Sequence, residues 1–249
     1  MKKIFILIIE KVIIKLYQLI GIGTYNSIIS EVHAVKKVIP EIKSFVDCGA
    51  NIGDYSFAVI KAYNPDYIFA FEPSKKNFNL LCNRFSDNSN VKIENLALSD
   101  KKDSAKLFYN FSGSGLASLT KRNLNHRQIQ FSNEEEIQII RLDDYWNLNF
   151  HFEYLDFLKI DVEGHELNVL NGLGVKITNV KVIQFEFGGC NIDTKTSFLD
   201  FWTFFTSYNF QVFRISAIGL IPINIYKEIY ESYTTTNYVC VNKNFKNGE

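Results

Sequence analysis

Several things are scarce in this 249-residue sequence. It has four cysteines, four prolines, one methionine and no net charge, because 27 acidic side chains cancel 27 basic ones. The cysteines, Cys48, Cys82, Cys190 and Cys240, are widely scattered with no C-x-x-C pair. That spacing excludes a disulfide framework and a zinc ribbon and points to a reducing, cytoplasmic setting. Zero net charge argues against a protein whose main task is gripping nucleic acid, which needs a dense field of Lys and Arg. Internal repeats and low-complexity linkers are absent too, so the body of the chain reads as one domain. What is abundant is apolar: 47% of residues are hydrophobic and 15% aromatic, ample for a large core.

A long uninterrupted apolar run is also missing. The opening segment runs only six residues, Ile4 to Ile9, before Glu10 and Lys11, whereas a secretory segment wants roughly 7–15. As a spanning helix, Glu10, Lys11 and Lys15 would each cost about 2.5–3.5 kcal/mol, against about 0.3–0.6 gained per apolar residue. Thirteen Ile, Leu, Val and Phe between Ile4 and Ile22 do not clearly outweigh that. The expectation is a helix docked on the domain or on a dimer partner. The alternative is peripheral contact with the inner face of a membrane. Residues 1–40 are thus assigned to an N-terminal helical extension and 41–249 to the main domain.

From Ser44 onward, strand-length apolar runs alternate with helical stretches, the pattern of a mostly parallel sheet covered by helices. Strands are expected at 44–48, 67–71, 91–97, 157–160 and 180–187. Helices are expected over 55–63, from Ser74, over 165–170 and over 197–208. Residues 99–146 are looser, with strands near 106–110 and 137–142, and read as an insertion on the substrate side. The segments 210–215 and 238–242 alternate like an antiparallel edge pair.

Three places carry chemistry. The first strand ends in Asp47-Cys48-Gly49-Ala50-Asn51-Ile52-Gly53, a turn that opens a helix where open α/β sheets bind ligands. Its glycines are four apart rather than spaced as G-x-G-x-x-G, and Asp47 would repel a pyrophosphate but suits a cationic amine. Glu72 closes the second strand, where an acid accepts hydrogen bonds from the ribose hydroxyls of an adenosine cofactor. The third is Asp161-Val162-Glu163-Gly164-His165-Glu166, leaving a buried strand. Either its acids merely cap the next helix, or one of them acts as a general base or orients a hydroxyl.

With those residues in view, DCGANIGDYS (47–56), FEPSKKNFNLLCNR (71–84), NLALSD (95–100), GSGLASL (113–119), RLDDY (141–145) and LKIDVEGHELNVLNG (158–172) resemble the FkbM family. Its members are class I methyltransferases that use S-adenosylmethionine. The resemblance covers about residues 45–187. Asn51 departs from the broader methyltransferase pattern, where a second glycine is usual, but agrees with FkbM. It implies an α/β, Rossmann-like fold with a mostly parallel seven-stranded sheet, order 3-2-1-4-5-7-6, and helices on both faces. It also implies that Asp47, Gly49, Ala50, Asn51 and Gly53 hold the methionine part of the cofactor, Glu72 the ribose, and Leu96 and Ala97 the adenine edge. Asp161 would then lie near the sulfonium.

Such family members mostly methylate hydroxyls of sugars in glycans or natural products. A sugar hydroxyl needs its proton accepted, and Asp161, Glu163 and His165 are equally placed for that by sequence. A divalent cation polarising the hydroxyl is a weaker alternative, and no metal ligands are assigned. Glu186, at the end of its strand, is a second-tier candidate for holding the acceptor. Acceptor choice is expected to lie in 112–136 and 190–196. An RNA 2′-O-methyltransferase, a nucleotide-dependent dehydrogenase and a non-catalytic binding module are the competing readings; the balanced charge and the missing G-x-G-x-x-G weigh against the first two, the intact DVEGHE segment against the last.

Overall fold

The computed structural model describes residues 2–23 and 27–245. Its strands are β1 (Ser44–Cys48), β2 (Tyr67–Phe71), β3 (Val91–Glu94), β4 (Ala97–Ser99), β5 (Asp103–Tyr109), β6 (Asn133–Arg141), β7 (Leu155–Ile160), β8 (Val180–Phe187), β9 (Phe210–Ser216), β10 (Gly219–Pro222) and β11 (Thr236–Asn242). The helices are α1 (Lys2–Leu19), α2 (Ile28–Lys36), α3 (Asp54–Tyr63), α4 (Lys75–Arg84), α5 (Leu142–Asn149), α6 (Glu166–Asn171), α7 (Cys190–Thr194) and α8 (Phe198–Ser207).

The large sheet has eight strands in the order β10-β9-β11-β8-β7-β1-β2-β3. Strands β3, β2, β1, β7 and β8 run parallel, and β11 is antiparallel to both its neighbours. The order 3-2-1-4-5-7-6 therefore holds. The expected seven strands become eight because Gly219, at φ +118°, turns the chain back so that β10 pairs with β9. The closing segments pair antiparallel as expected, β11 with β9, but β10 covers β9 and takes the edge.

Alternation along the central strands divides the core into two layers. Val46, Cys48, Leu158 and Ile160 face α5, α6 and α8, while Phe45 and Phe157 face α2 and α3 on the other side. Helix α8 begins at a reciprocal cap between Ser197 and Asp200. Its Phe198, Phe201 and Phe205, spaced for one face, are fully buried. The Phe201 and Phe205 rings stack on Phe185 at 4.7 and 5.3 Å. Truncating such a ring to Ala costs about 3–5 kcal/mol.

Three local expectations are corrected. The third strand stops at Glu94, and residues 97–99 leave the main sheet to pair with β6. The loose stretch 99–146 contains a second sheet, order β4-β6-β5, with its own small core of Ala97, Leu107, Ile137 and Ile139. The opening helix is not docked on the domain: every described side chain from Lys3 to Leu19 is exposed. Helix α2, in contrast, sinks Val32 and Val35 into the core and belongs to the helical layer.

Candidate active site

The parallel strands all end on one rim, and the turn after β1 starts the site. Gly49 stands at φ +80°, and a Cβ there would lie 1.9 Å from the Asp161 carbonyl oxygen. Only glycine lets the β1 and β7 ends approach so closely. Asn51 follows at φ +51° and donates its backbone N–H to Glu72 Oε2 at 2.8 Å. The other oxygen of Glu72 accepts the Ser74 N–H at 2.9 Å. Two backbone donors thus fix the carboxylate between the β1 and β2 ends. Burial still pushes Glu72 up to about 7.

Glu72 lines a cavity with Gly49, Asn51, Leu96, Ala97 and Asp161. Its other walls are apolar, from Phe71, Leu98 and Leu107, and the Ser114–Leu119 loop closes it. One buried atom there, Asn77 Oδ1, has no hydrogen-bond partner. A second cavity beside it is lined by Asp47, Ala50, Tyr55, Lys159 and Asp161. Asp47 is deeply buried and accepts the Ser56 hydroxyl at 2.6 Å. Burial, opposed by that bond, pushes it up to about 6. Gly53 reaches neither cavity: at φ +85°, its missing Cβ makes room for Leu81 and Phe85.

The β7 end supplies the polar cluster. Lys159, buried, donates to Asp161 Oδ2 at 3.0 Å. Burial works to lower the Lys159 ammonium, but Asp161, Glu31 and Glu186 outweigh it and hold it above its ordinary range. Glu163 sits at φ +53°, a left-handed conformation rare for a residue with a side chain. Its Oε2 accepts Arg122 Nη1 at 2.5 Å, and its carbonyl accepts the Ser118 hydroxyl at 2.8 Å. Burial and the neighbouring Asp161 push Glu163 up to about 8 despite the guanidinium. His165 Nε2 lies 2.9 Å from the Thr120 hydroxyl, and burial lowers its imidazole. Glu166 holds the loop itself, since its Oε1 accepts the backbone N–H of Val162 and of Gly164.

A wide cleft opens on the far side of Glu163. Arg122, Asn123, His126, Glu186, Asp193 and Thr235 are among its lining residues. Arg122 also reaches Asp193 Oδ2 at 3.3 Å, so one buried cation ties two carboxylates. Glu186 forms no ion pair among the described residues; burial, with Asp161 adding to it and Lys159 opposing it, pushes it up to about 9. Glu163 lines this cleft and both cavities. Asp161 lines the two cavities only, and His165 the first only. Among the described residues no three His, Cys, Asp or Glu side chains converge as a metal site requires.

The structure thus brings together most of the residues expected from the motifs. The segment 112–136 divides: Ser114–Leu119 closes the first cavity, whereas Arg122–Arg127 lines the cleft together with Cys190–Asp193. Sequence reasoning missed Asn77, Arg122 and Lys159. Asn77 is a polar residue on the buried side of α4, which is a weak signal in itself. Arg122 meets Glu163 from 41 positions away, and no periodicity reports such a pair.

A parallel sheet whose adjacent strand ends carry a glycine turn and a backbone-fixed acid defines an α/β protein of the Rossmann-like, nucleotide-cofactor type. The particular family is set by comparison: the FkbM methyltransferase domain matches residues 47–212. The chain belongs to that family. Methyltransferase sdnD of Sordaria araneosa is 29% identical in an alignment of 160 positions that covers 54% of this chain and 62% of that protein. Methyltransferase 1 of Beauveria bassiana is 28% identical in an alignment of 148 positions that covers 54% of this chain and 59% of that one. The aligned region thus spans about six tenths of the curated relatives it matches. The crystal structure of the FkbM methyltransferase from Methylobacillus flagellatus KT shares the fold, with a TM-score of 0.50 and 17% identity. It covers 80% of this chain and 43% of its own.

Proposed function

We propose that this chain is an S-adenosylmethionine-dependent O-methyltransferase acting on a hydroxyl of a sugar or a glycan or natural-product precursor. The observation that carries this reading is Glu163, whose carboxylate borders both the cavity beside Glu72 and the open cleft. The residues present fit the cofactor. Leu98 and Leu107 form apolar walls, Glu72 keeps lone pairs free for ribose hydroxyls, and Asn77 Oδ1 is a buried acceptor in need of a donor. Asp161 and Asp47 supply negative charge toward the second cavity, where a cationic methionine moiety is favoured.

Bound there, the cofactor would supply an electrophilic methyl group for the acceptor oxygen. The acceptor oxygen must lose its proton as the new bond forms. Glu163 is suited to take it, since a group poised near the working pH is the most effective general base. Arg122 holds one Glu163 oxygen in place and leaves the other free for that proton. Asp161 and His165 do not line the cleft, which favours Glu163 over both. The cleft wall of Asn123, His126, Glu186 and Thr235 offers donors and acceptors in the mixture a polyhydroxylated ligand needs.

Polymeric RNA fits less well, because a chain with no net charge lacks the dense basic field that phosphates need. Transfer of a radiolabelled methyl group across a panel of glycans and nucleoside sugars tests the proposal. Labelling of a sugar hydroxyl that disappears in Glu163→Gln is the expected result. Transfer only to RNA would overturn the acceptor class.

A further inference from the structure

We propose that α1 is an in-plane anchor for an anionic lipid surface, placed to hold the cleft against that surface. The helix is 18 residues long, about 27 Å, and every described side chain from Lys3 to Leu19 is exposed. Phe5 is 64% and Leu16 57% exposed, values a water-facing helix of this composition does not sustain without a covering phase. At about 100° per residue, Phe5, Ile9, Val12, Ile13, Leu16 and Tyr17 fall within one continuous half of the circumference. From residue 3 onward that half carries no charge. The opposite half carries Lys3, Lys11, Lys15 and Gln18, with Glu10 as its one acid, interspersed with Ile4, Leu7, Ile8 and Ile14.

The occupant follows from that arrangement. A broad apolar half bordered by lysines matches an interfacial helix, with its lysines meeting acidic headgroups. A two-helix seam would cover only a narrow stripe of the same surface and leave Phe5 and Tyr17 in water. Crossing the bilayer is not the alternative. Among the described residues no helix is long and apolar enough for that, and Glu10, Lys11 and Lys15 fall mid-helix.

The helix is also fixed at its exit. Arg214 Nε donates to the Ile20 carbonyl at 2.7 Å, and a Cβ on Gly21 would sit 2.0 Å from the Ile215 carbonyl oxygen. Ile22 is buried, and Gly23 lines the cleft that holds Glu163 and Glu186. An anchored α1 therefore sets the cleft beside the lipid surface, where an acceptor carried on a lipid would present its hydroxyls. The anchoring stands by itself; the acceptor's lipid attachment rests on the proposed function.

Co-sedimentation of the full chain with phosphatidylcholine vesicles, with and without 30 mol% phosphatidylglycerol, tests this. Binding at least tenfold stronger to the anionic vesicles, and weakened by salt, is expected. The triple variant Lys3→Glu/Lys11→Glu/Lys15→Glu should fall to the level of neutral vesicles. Ile9→Ser/Ile13→Ser/Leu16→Ser should lose binding to both, and both variants should keep wild-type affinity for S-adenosylhomocysteine. Equal binding to the two vesicle types, or variants that sediment like wild type, would overturn it. So would a lipid-free dimer that the serine variant dissociates, because a second copy would then cover the helix. Loss of cofactor binding with vesicle binding intact would instead strike the proposed function.

Discussion

Glu72 receives the backbone N–H of Asn51 at 2.8 Å, across the gap between the ends of two adjacent parallel strands. The bond makes the cavity-lining acid and the glycine turn one rigid unit. Glu72→Ala removes this acceptor and leaves the Asn51 and Ser74 amides unsatisfied in a buried place. Hydrogen bonds to a charged group are worth about 1.5–3 kcal/mol. Affinity for S-adenosylhomocysteine should therefore drop roughly ten- to a hundredfold on titration calorimetry.

Gly49→Ala should be more disruptive than its size indicates. The new methyl would meet the Asp161 carbonyl oxygen at 1.9 Å, in a backbone region that disfavours any Cβ. Left-handed strain of about 1–2 kcal/mol adds to overpacking of about 1–3. Chemical denaturation should show a loss near 3 kcal/mol, together with loss of cofactor binding.

Glu163→Gln keeps the shape of the side chain but cannot accept a proton. Methyl transfer should fall about 10²- to 10⁴-fold, while affinity for S-adenosylhomocysteine changes only a few-fold. In the wild type, the rate should rise with pH and level off near pH 8, where Glu163 ionises. That inflection should be absent from the residual activity of the variant.

Glu186 carries a stability signature. Burial pushes its folded-state pKa up to about 9 from an ordinary 4.5. The folded chain keeps a proton that the unfolded chain releases, so stability falls as pH rises from 4.5 toward 9. Glu186→Gln should match wild type near pH 4.5 and exceed it at pH 8 by an amount on the order of a few kcal/mol. Thermal melts at the two pH values measure the difference.

The legible parts of the site were those whose chemistry is local. A glycine turn after a buried strand and an acid at the next strand end announce themselves within a few residues, as Gly49 and Glu72 do. The strand order also held, but it was implied by the family resemblance and not by any local pattern. What escaped depends on contacts between distant segments. Lys159 reads as a strand residue and Asp161 as a loop acid until the fold buries the lysine against the carboxylate that lines the cavity. Arg122 stands in a polar stretch and becomes a site residue only when Glu163 and Asp193 close on it. The eighth strand rests on a turn at Gly219. That turn is not written into a hydrophobic pattern.

The measurement that bears most directly on the central claim is calorimetric titration of the full chain with S-adenosylhomocysteine, with NADH as a control and Glu72→Ala as the comparison. Micromolar binding of S-adenosylhomocysteine alone, weakened at least tenfold in the variant, is the predicted result. No binding, or binding that Glu72→Ala leaves unchanged, would contradict the assignment of the cavity beside Glu72 to the cofactor.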